Sequence, residues 1–455
     1  MNFHKQQSAP PDGLTATIAE HIHKTSYSDI PQNAVTAAKH ILFDTLVVGI
    51  AGRNEAGAAE GREIILANGG IEQSRLWGSR HRVPAMSAAF VNGVAAAALD
   101  FDSVHEGGTV HSDIIVAPAV LALAEARDLS GRDVLTALAL GNDLAGRLGM
   151  STREHSGWFY TSLHGVFAAA ATSAKLIGLD ADGIRNAIGI ALSRTGGTQQ
   201  PAREKAVTKR MQSAFAAQDG VFAALLAEKG IIAPSAPIEG EFGLYNMYEA
   251  GNHEVVLSEL GSRFEGKNIT VKAYPSCACN HAVIAAMLEI VGENNLKADE
   301  VASVELIVTP YIKRLVGGPF DPAANPQVAA QFSIQYSVAA VLLHGKFGLA
   351  EIQSAAVRDP RSADLASRIS ILVDESQSGV FGPVKITVNC HDGRKLNVLA
   401  NTVPGRPDKP LTEAELISKG NMCLPNKNGD ALFKLISELE NHHSVKALMD
   451  ELEIK

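Results

Sequence analysis

From residue 14 to about residue 230 the apolar side chains of this chain recur three and four positions apart, and near Gly261 that rhythm stops. A 3.6-residue period gives every helix one apolar stripe that must be buried against a neighbour, so this half of the chain is constrained to a helical assembly. The stretch 34–47 shows the pattern in Ala34, Ala38, Ile41, Leu42 and Leu46, and Pro31 suits the first turn of that helix. Segments 83–98, 115–127, 132–149, 161–177, 181–192 and 211–229 read alike. Gly178 is placed as a C-terminal stop and Asp180 as the next N-cap. The connections are short, which favours antiparallel neighbours in one bundle. Aromatic residues make up only 5% while Gly and Ala are abundant, which suits closely approaching helices and not a sandwich of many strands.

Beyond the break, 269–274, 303–308, 369–373 and 384–388 alternate like half-buried strands, with helical spacing between them at 281–291 and 332–343. Segments 412–419 and 430–452 return to helical spacing. The expected fold is therefore mainly α: a large helical domain over 1–264 and 403–455, with a smaller α+β domain inserted at 265–402.

Forty Lys and Arg against 49 Asp and Glu leave a net charge of −9, which gives no general attraction to nucleic acid or to anionic membranes. The apolar runs 41–51 and 91–99 are interrupted by Asp44 or end well before the roughly 20 residues a bilayer span needs. The first thirty residues lack the order of a secretory leader, so a cytoplasmic location is expected, or a mitochondrial one in a eukaryote. Four cysteines with a single Cys-x-Cys pair speak against a zinc site or a disulfide framework.

Three polar clusters interrupt this apolar chain. Asp100-Phe101-Asp102-Ser103-Val104-His105, followed by Glu106-Gly107-Gly108-Thr109-Val110-His111, sets two carboxylates and two imidazoles on a Gly-containing loop between helices. Histidine as a residue type suits general acid or base work at neutral pH, so His105 and His111 are candidates; helix capping by the aspartates is the competing reading. A metal held by these Asp and His residues lacks both a helical His-x-x-x-His pair and thiolate support. Thr208-Lys209-Arg210 opens an apolar helix, where cations beside unpaired backbone N–H groups can seat an anion. In Lys272-Ala273-Tyr274-Pro275-Ser276-Cys277-Ala278-Cys279-Asn280-His281 a strand would put Lys272 and Tyr274 on one face, and Cys277 with His281 would be a thiol and imidazole pair. His164, near the start of a helix, is a further imidazole.

These motifs, with Gln331-Phe332-Ser333-Ile334-Gln335-Tyr336 and with Pro404-Gly405-Arg406-Pro407 ahead of Pro410-Leu411-Thr412, resemble the MmgE/PrpD family over essentially the whole chain. The resemblance implies a helical domain made from both chain ends, an inserted α+β lid with the active site between them, a homodimer, and no metal or organic cofactor. It implies a small polycarboxylate substrate and loss or gain of a proton or carboxylate beside an activated carbon. By the same resemblance Asp100 and Asp102 orient the loop histidines, His111 transfers the proton, and Lys209 and Lys272 bind carboxylate or act as acids. His105, Arg210, Tyr274, His281, Tyr336 and His164 are then pocket residues.

The sequence departs from the family where many members carry Gly-Trp-His or Gly-Phe-His, because this chain has Gly157-Trp158-Phe159. Val104 also replaces the Thr of some decarboxylases, and Ser103 stands where Asp is common. The expected activity is a cofactor-independent lyase, foremost a dehydratase of a citrate-like acid. An epimerase, an isomerase, a decarboxylase or a non-catalytic carboxylate-binding protein are the alternatives.

Overall fold

The computed structural model describes residues 13–152, 154–323, 325–379, 381–424 and 428–453. Residues 1–12, 153, 425–427 and 454–455 of the expected helical domain lie outside them. The chain is 57% helical and 9% strand, a mainly α fold with a small sheet. It divides into two compact units, one of residues 1–270 and 416–455, the other of residues 271–415.

In the first unit α1 (Leu14–Lys24), α2 (Gln32–Gly52), α3 (Ala58–Asn68) and α4 (Ala85–Ala97) lead to the polar loop. The helices α5 (Asp113–Arg127), α6 (Gly131–Ser151), α7 (Tyr160–Leu176), α8 (Ala181–Leu192) and α9 (Thr208–Glu228) follow it. Local chemistry sets several ends: Ser130 and Asp133 form a capping box at α6, Asp180 accepts the Gly183 amide at 2.9 Å, and Asp128 closes α5 in the left-handed conformation. Helix α7 is buried on nearly every side because small residues let its neighbours approach. A Cβ on Gly220 of α9 would stand 2.4 Å from that of Ala169, so the α7–α9 contact depends on the missing side chain. Helix α2 is long and apolar enough to span a membrane, yet 78% of that window is buried among its neighbours, as in a core helix.

Two short antiparallel pairs complete this unit up to residue 270. Strand β1 (Ser74–Arg75) pairs with β2 (Arg82–Val83), and β3 (Val104–His105) pairs with β4 (Ile269–Thr270).

The second unit holds α10 (His281–Asn294), β5 (Val301–Val308), α11 (Ile334–His344), α12 (Pro360–Ser367), β6 (Ile369–Val373), β7 (Val384–Cys390) and β8 (Lys395–Ala400). The strand order is β6-β5-β7-β8, with β6 parallel to β5 and the other pairs antiparallel. Alternate residues of β7, Val384, Ile386, Val388 and Cys390, are buried, as a sheet with one covered face requires.

The expected strand at 269–274 ends at Thr270, so Lys272 and Tyr274 are not strand neighbours and the shared-face argument does not hold. The chain then closes with α13 (Glu413–Cys423), α14 (Gly429–Ser437) and α15 (Lys446–Glu451). The single helical run expected at 430–452 is broken because the intervening backbone is used elsewhere: the His442 carbonyl accepts the Gly131 amide at 2.9 Å, and the Val445 amide donates to the Leu129 carbonyl at 3.0 Å. The C-terminal segment is thereby tied to the α5–α6 connection.

Candidate active site

Helix α4 ends at Ala97, and the chain turns at Asp100, which has φ of 50°, a conformation that aspartate tolerates better than most residues. The Asp100 carboxylate accepts the Lys209 ammonium at 2.9 Å from the first turn of α9. Two residues on, the buried Asp102 carboxylate stands 2.7 Å from Nδ1 of His111, and the Ser103 carbonyl stands 2.9 Å from the same nitrogen. A carbonyl accepts only, and so does an ionised carboxylate, so Nδ1 carries the proton and the lone pair of the neutral ring is on Nε2. The His111 side chain is 18% exposed, and its amide donates to Thr161 Oγ1 at 3.1 Å. A carboxylate-oriented imidazole with an available Nε2 is the arrangement of a general base or acid.

The other loop histidine has a different role. The Gly108 amide donates to His105 Nδ1 at 2.9 Å, which places the ring proton on Nε2, 3.3 Å from Glu265. His105 is 2% exposed and both its nitrogens are used, so it holds the loop to the 265–268 turn. Burial alone would raise the Glu265 pKa, but hydrogen bonds from His105 and Asn268 and the Arg263 charge hold it down at about 2.

Beneath the loop lies a buried polar cluster. Ser103 Oγ donates to Asp113 at 2.5 Å and Asn142 Nδ2 at 2.6 Å, one to each carboxyl oxygen. Burial, with the nearby Asp44 and Asp102 charges, pushes the Asp113 carboxyl up to about 7 against the pull of those hydrogen bonds. Lys419 of α13 donates to the Phe101 carbonyl at 2.9 Å, pairs with Asp44 of α2 at 2.5 Å and lies 3.8 Å from the centre of the Phe101 ring.

The remaining expected residues are distributed as follows. The Lys209 side chain is 21% exposed, whereas Arg210 is buried, with its guanidinium 3.5 Å from the Ala56 carbonyl. Burial lowers the Arg210 pKa while the Glu55 and Asp100 charges oppose that. His164 is wholly buried, with Nε2 3.0 Å from Thr152 Oγ1 and the Tyr160 ring edge-on at 5.0 Å. Burial lowers its pKa to about 3, so it is a neutral buried imidazole. Phe159 itself is buried and precedes α7, its amide donating to the Gly197 carbonyl at 3.0 Å.

In the second unit Lys272 is buried, and the half-buried Tyr274 meets His281 edge-on at 5.3 Å. Burial, with the Glu289 and Glu415 charges, pushes the Tyr274 phenol up to about 12. His281 is fully buried, with Nε2 3.2 Å from the Ser276 carbonyl, and Cys277 is half-buried. Tyr336 has no exposed surface, donates its hydroxyl proton to the Glu351 carbonyl and stacks on Phe320 at 5.1 Å.

Sequence reasoning thus found the Asp102–His111 and Asp100–Lys209 pairs and His105, and missed the supports: Asp44, Asp113, Asn142, Glu265 and Lys419. An aspartate inside the apolar 41–51 run was the one visible signal. Among the described residues no three His, Cys, Asp or Glu side chains converge to hold a metal ion.

The helical unit carries a carboxylate-oriented histidine on Asp102 and a lysine from a helix N-terminus on Asp100, and comparison with known proteins places the chain. The MmgE/PrpD N-terminal domain matches residues 16–255 and the MmgE/PrpD C-terminal domain matches residues 274–436; the chain belongs to the MmgE/PrpD family. The chain is 27% identical to the cis-aconitate decarboxylase of Homo sapiens, over 94% of this chain and 92% of that one. It is 26% identical to the cis-aconitate decarboxylase-like protein oryM of Aspergillus oryzae, over 90% of each. Identity to a cis-aconitate decarboxylase of Aspergillus terreus is also 26%, over 73% and 72%.

Proposed function

We propose that the protein is a lyase acting on a small citrate-like di- or tricarboxylate, and that its reaction is dehydration. The observation that carries this reading is the Asp102–His111 pair, with the ring proton fixed on Nδ1 and the Nε2 lone pair available. In the proposed step Nε2 removes a proton from the carbon beside a carboxylate. The electron pair of that C–H bond forms the new double bond, the C–O bond at the neighbouring carbon breaks, and the hydroxyl leaves as water with a proton returned by an acid. Asp102 stabilises the imidazolium formed, and Lys209 and Lys272 are the cations assigned to the carboxylates.

The names of the relatives favour a second reading, decarboxylation. There a C–C bond breaks, carbon dioxide leaves, and the imidazolium delivers its proton to the carbon. The two reactions need His111 in opposite states at the start. Dehydration requires the neutral ring, so kcat/KM rises as the histidine is deprotonated; decarboxylation requires the imidazolium, so kcat/KM falls over the same range.

The test is incubation with 2-methylcitrate, citrate, cis-aconitate and iminodisuccinate in deuterated water, followed by NMR. Formation of an unsaturated acid from citrate or 2-methylcitrate with every carboxylate retained supports dehydration, whereas carbon dioxide release or inversion alone replaces it with decarboxylation or epimerisation. Tight binding without turnover across the panel would make the protein a carboxylate-binding protein. Turnover surviving intact in both His111→Ala and Lys272→Ala would overturn the residue roles.

A further inference from the structure

We propose that Lys419 is a positioning residue for His111, acting through the backbone of the 100–103 loop. The inference deepens the acid–base reading above and rests on it. The Lys419 ammonium donates to the Phe101 carbonyl at 2.9 Å, one peptide before Asp102, and packs against the Phe101 ring at 3.8 Å. Both residues are almost fully buried, so the contact is not a surface accident. Asp102 and the Ser103 carbonyl then grip His111 Nδ1 at 2.7 and 2.9 Å. Three consecutive residues therefore transmit one restraint: Lys419 fixes Phe101, and Asp102 and Ser103 fix the ring.

The charge arrangement explains why lysine serves here. Asp44, Asp102 and Asp113 are all buried close to this loop, Lys419 pairs with Asp44 at 2.5 Å, and the buried Cys423 thiol on the same helix is held protonated, its pKa pushed to about 12 mainly by burial. Lys209 pairs with Asp100 at the same loop, the Arg210 charge also acts on Asp100, and the His111 ring lies on Asp102. A neutral donor at position 419 would leave the Asp44 carboxylate without this ammonium, and a cation without the reach to Phe101 would leave the loop backbone free to shift. Displacement of a reacting group by about 1 Å can cost roughly 100-fold in rate, so a restraint one residue from the carboxylate that holds the imidazole is felt in the chemical step.

The alternative is that Lys419 only balances Asp44 and thereby stabilises the fold. Three variants separate the two roles: Lys419→Met, Asp44→Asn and the double variant. Positioning predicts that Lys419→Met lowers kcat about 10- to 100-fold with KM little changed, and that the double variant regains thermal stability without regaining kcat. Asp44→Asn keeps the bond to Phe101 and keeps most of the turnover. A second readout needs no substrate: the downfield imidazole proton of His111 Nδ1 in the resting protein, assigned by its loss in His111→Asn. It is expected in the wild type and in Asp44→Asn, and lost to solvent exchange in both variants lacking Lys419. Recovery of kcat and of this resonance in the double variant, or equal losses in Asp44→Asn, would overturn the proposal. If no acid in the panel turns over, the functional reading fails and the imidazole signal alone decides the positioning claim.

Discussion

Replacing Asp113 by Asn should make the helical unit more stable at neutral pH than the natural carboxyl does, and by an amount that grows with pH. Asp113 is 1% exposed and accepts from Ser103 and Asn142, and its environment holds the carboxyl pKa at about 7 against an ordinary 3.8. Below about pH 4 the carboxyl is protonated in the folded and the unfolded chain, and it costs nothing. Between about pH 4 and about 7 the unfolded chain ionises while the folded one does not, so stability falls with rising pH; above that the penalty is constant. At 1.36 kcal/mol for each pKa unit the full penalty is up to roughly 4 kcal/mol. Asn keeps the size of the side chain, accepts from Asn142, and can donate to Ser103 Oγ, so its intrinsic cost is about 1 kcal/mol. Trp77 and Trp158, the two tryptophans of the chain, both lie in the helical unit. Urea unfolding followed by tryptophan fluorescence therefore reports on this unit without demanding that the whole chain unfold in one step. The variant should gain on the wild type from about pH 4 to about pH 7 and hold a constant lead above that. A difference that stays constant between those two pH values, or that reverses, would refute the burial argument for Asp113.

Three other perturbations have defined outcomes. A Cβ on Gly149 would sit 2.4 Å from the Gly108 carbonyl oxygen, so Gly149→Ala should displace the 105–110 turn and reduce turnover more than it reduces helicity by circular dichroism. The fully buried Arg147 binds Asp143 and the carbonyls of Val256, Ser258 and Arg263; Arg147→Met should cost about 3–5 kcal/mol in urea unfolding because Asp143 and those carbonyls lose their partner. Glu265, held at about 2 against 4.5, contributes stability that is fully present above its ordinary pKa and is lost as pH falls from there through about 2. The wild-type advantage over Glu265→Gln should therefore shrink in acid; an advantage independent of pH would remove the proposed His105–Glu265 interaction from the account.

The helices of the first half were readable because their signal is local. Segments 181–192 and 115–127 recur as α8 and α5, with Asp180 capping as its sequence position implied. Strand β8 was overlooked although Asp392-Gly393, with Gly393 at φ of 91°, lies at the turn that joins it to β7. The break inside 430–452 was invisible because its cause is a partner, the α5–α6 connection, some 300 positions away. The same division holds at the site. Asp102 and His111 lie nine residues apart, and their clustering on a loop is visible in the sequence. Asp44 and Lys419 look like one interruption of a helix and one surface lysine until folding pairs them. The burial of Arg210, read as part of an anion seat, and of Tyr336, given a pocket role by the resemblance, is set by packing and has no local signal.

The bond from Lys419 to Phe101 joins residues 318 positions apart, and this sets an order of events during synthesis. At roughly 5–20 residues per second a ribosome needs about a quarter of a minute to a minute to supply the lysine after the phenylalanine has been made. Throughout that interval helix α2 carries Asp44 without the Lys419 ammonium, and the nascent loop lacks its fixed backbone point. Burial of that carboxylate is less favourable until Lys419 has been made, so full docking of α2 follows synthesis of that residue. The imidazole of His111, held by the residues that follow Phe101, gains its mature setting only after a residue 318 positions beyond that phenylalanine has been made.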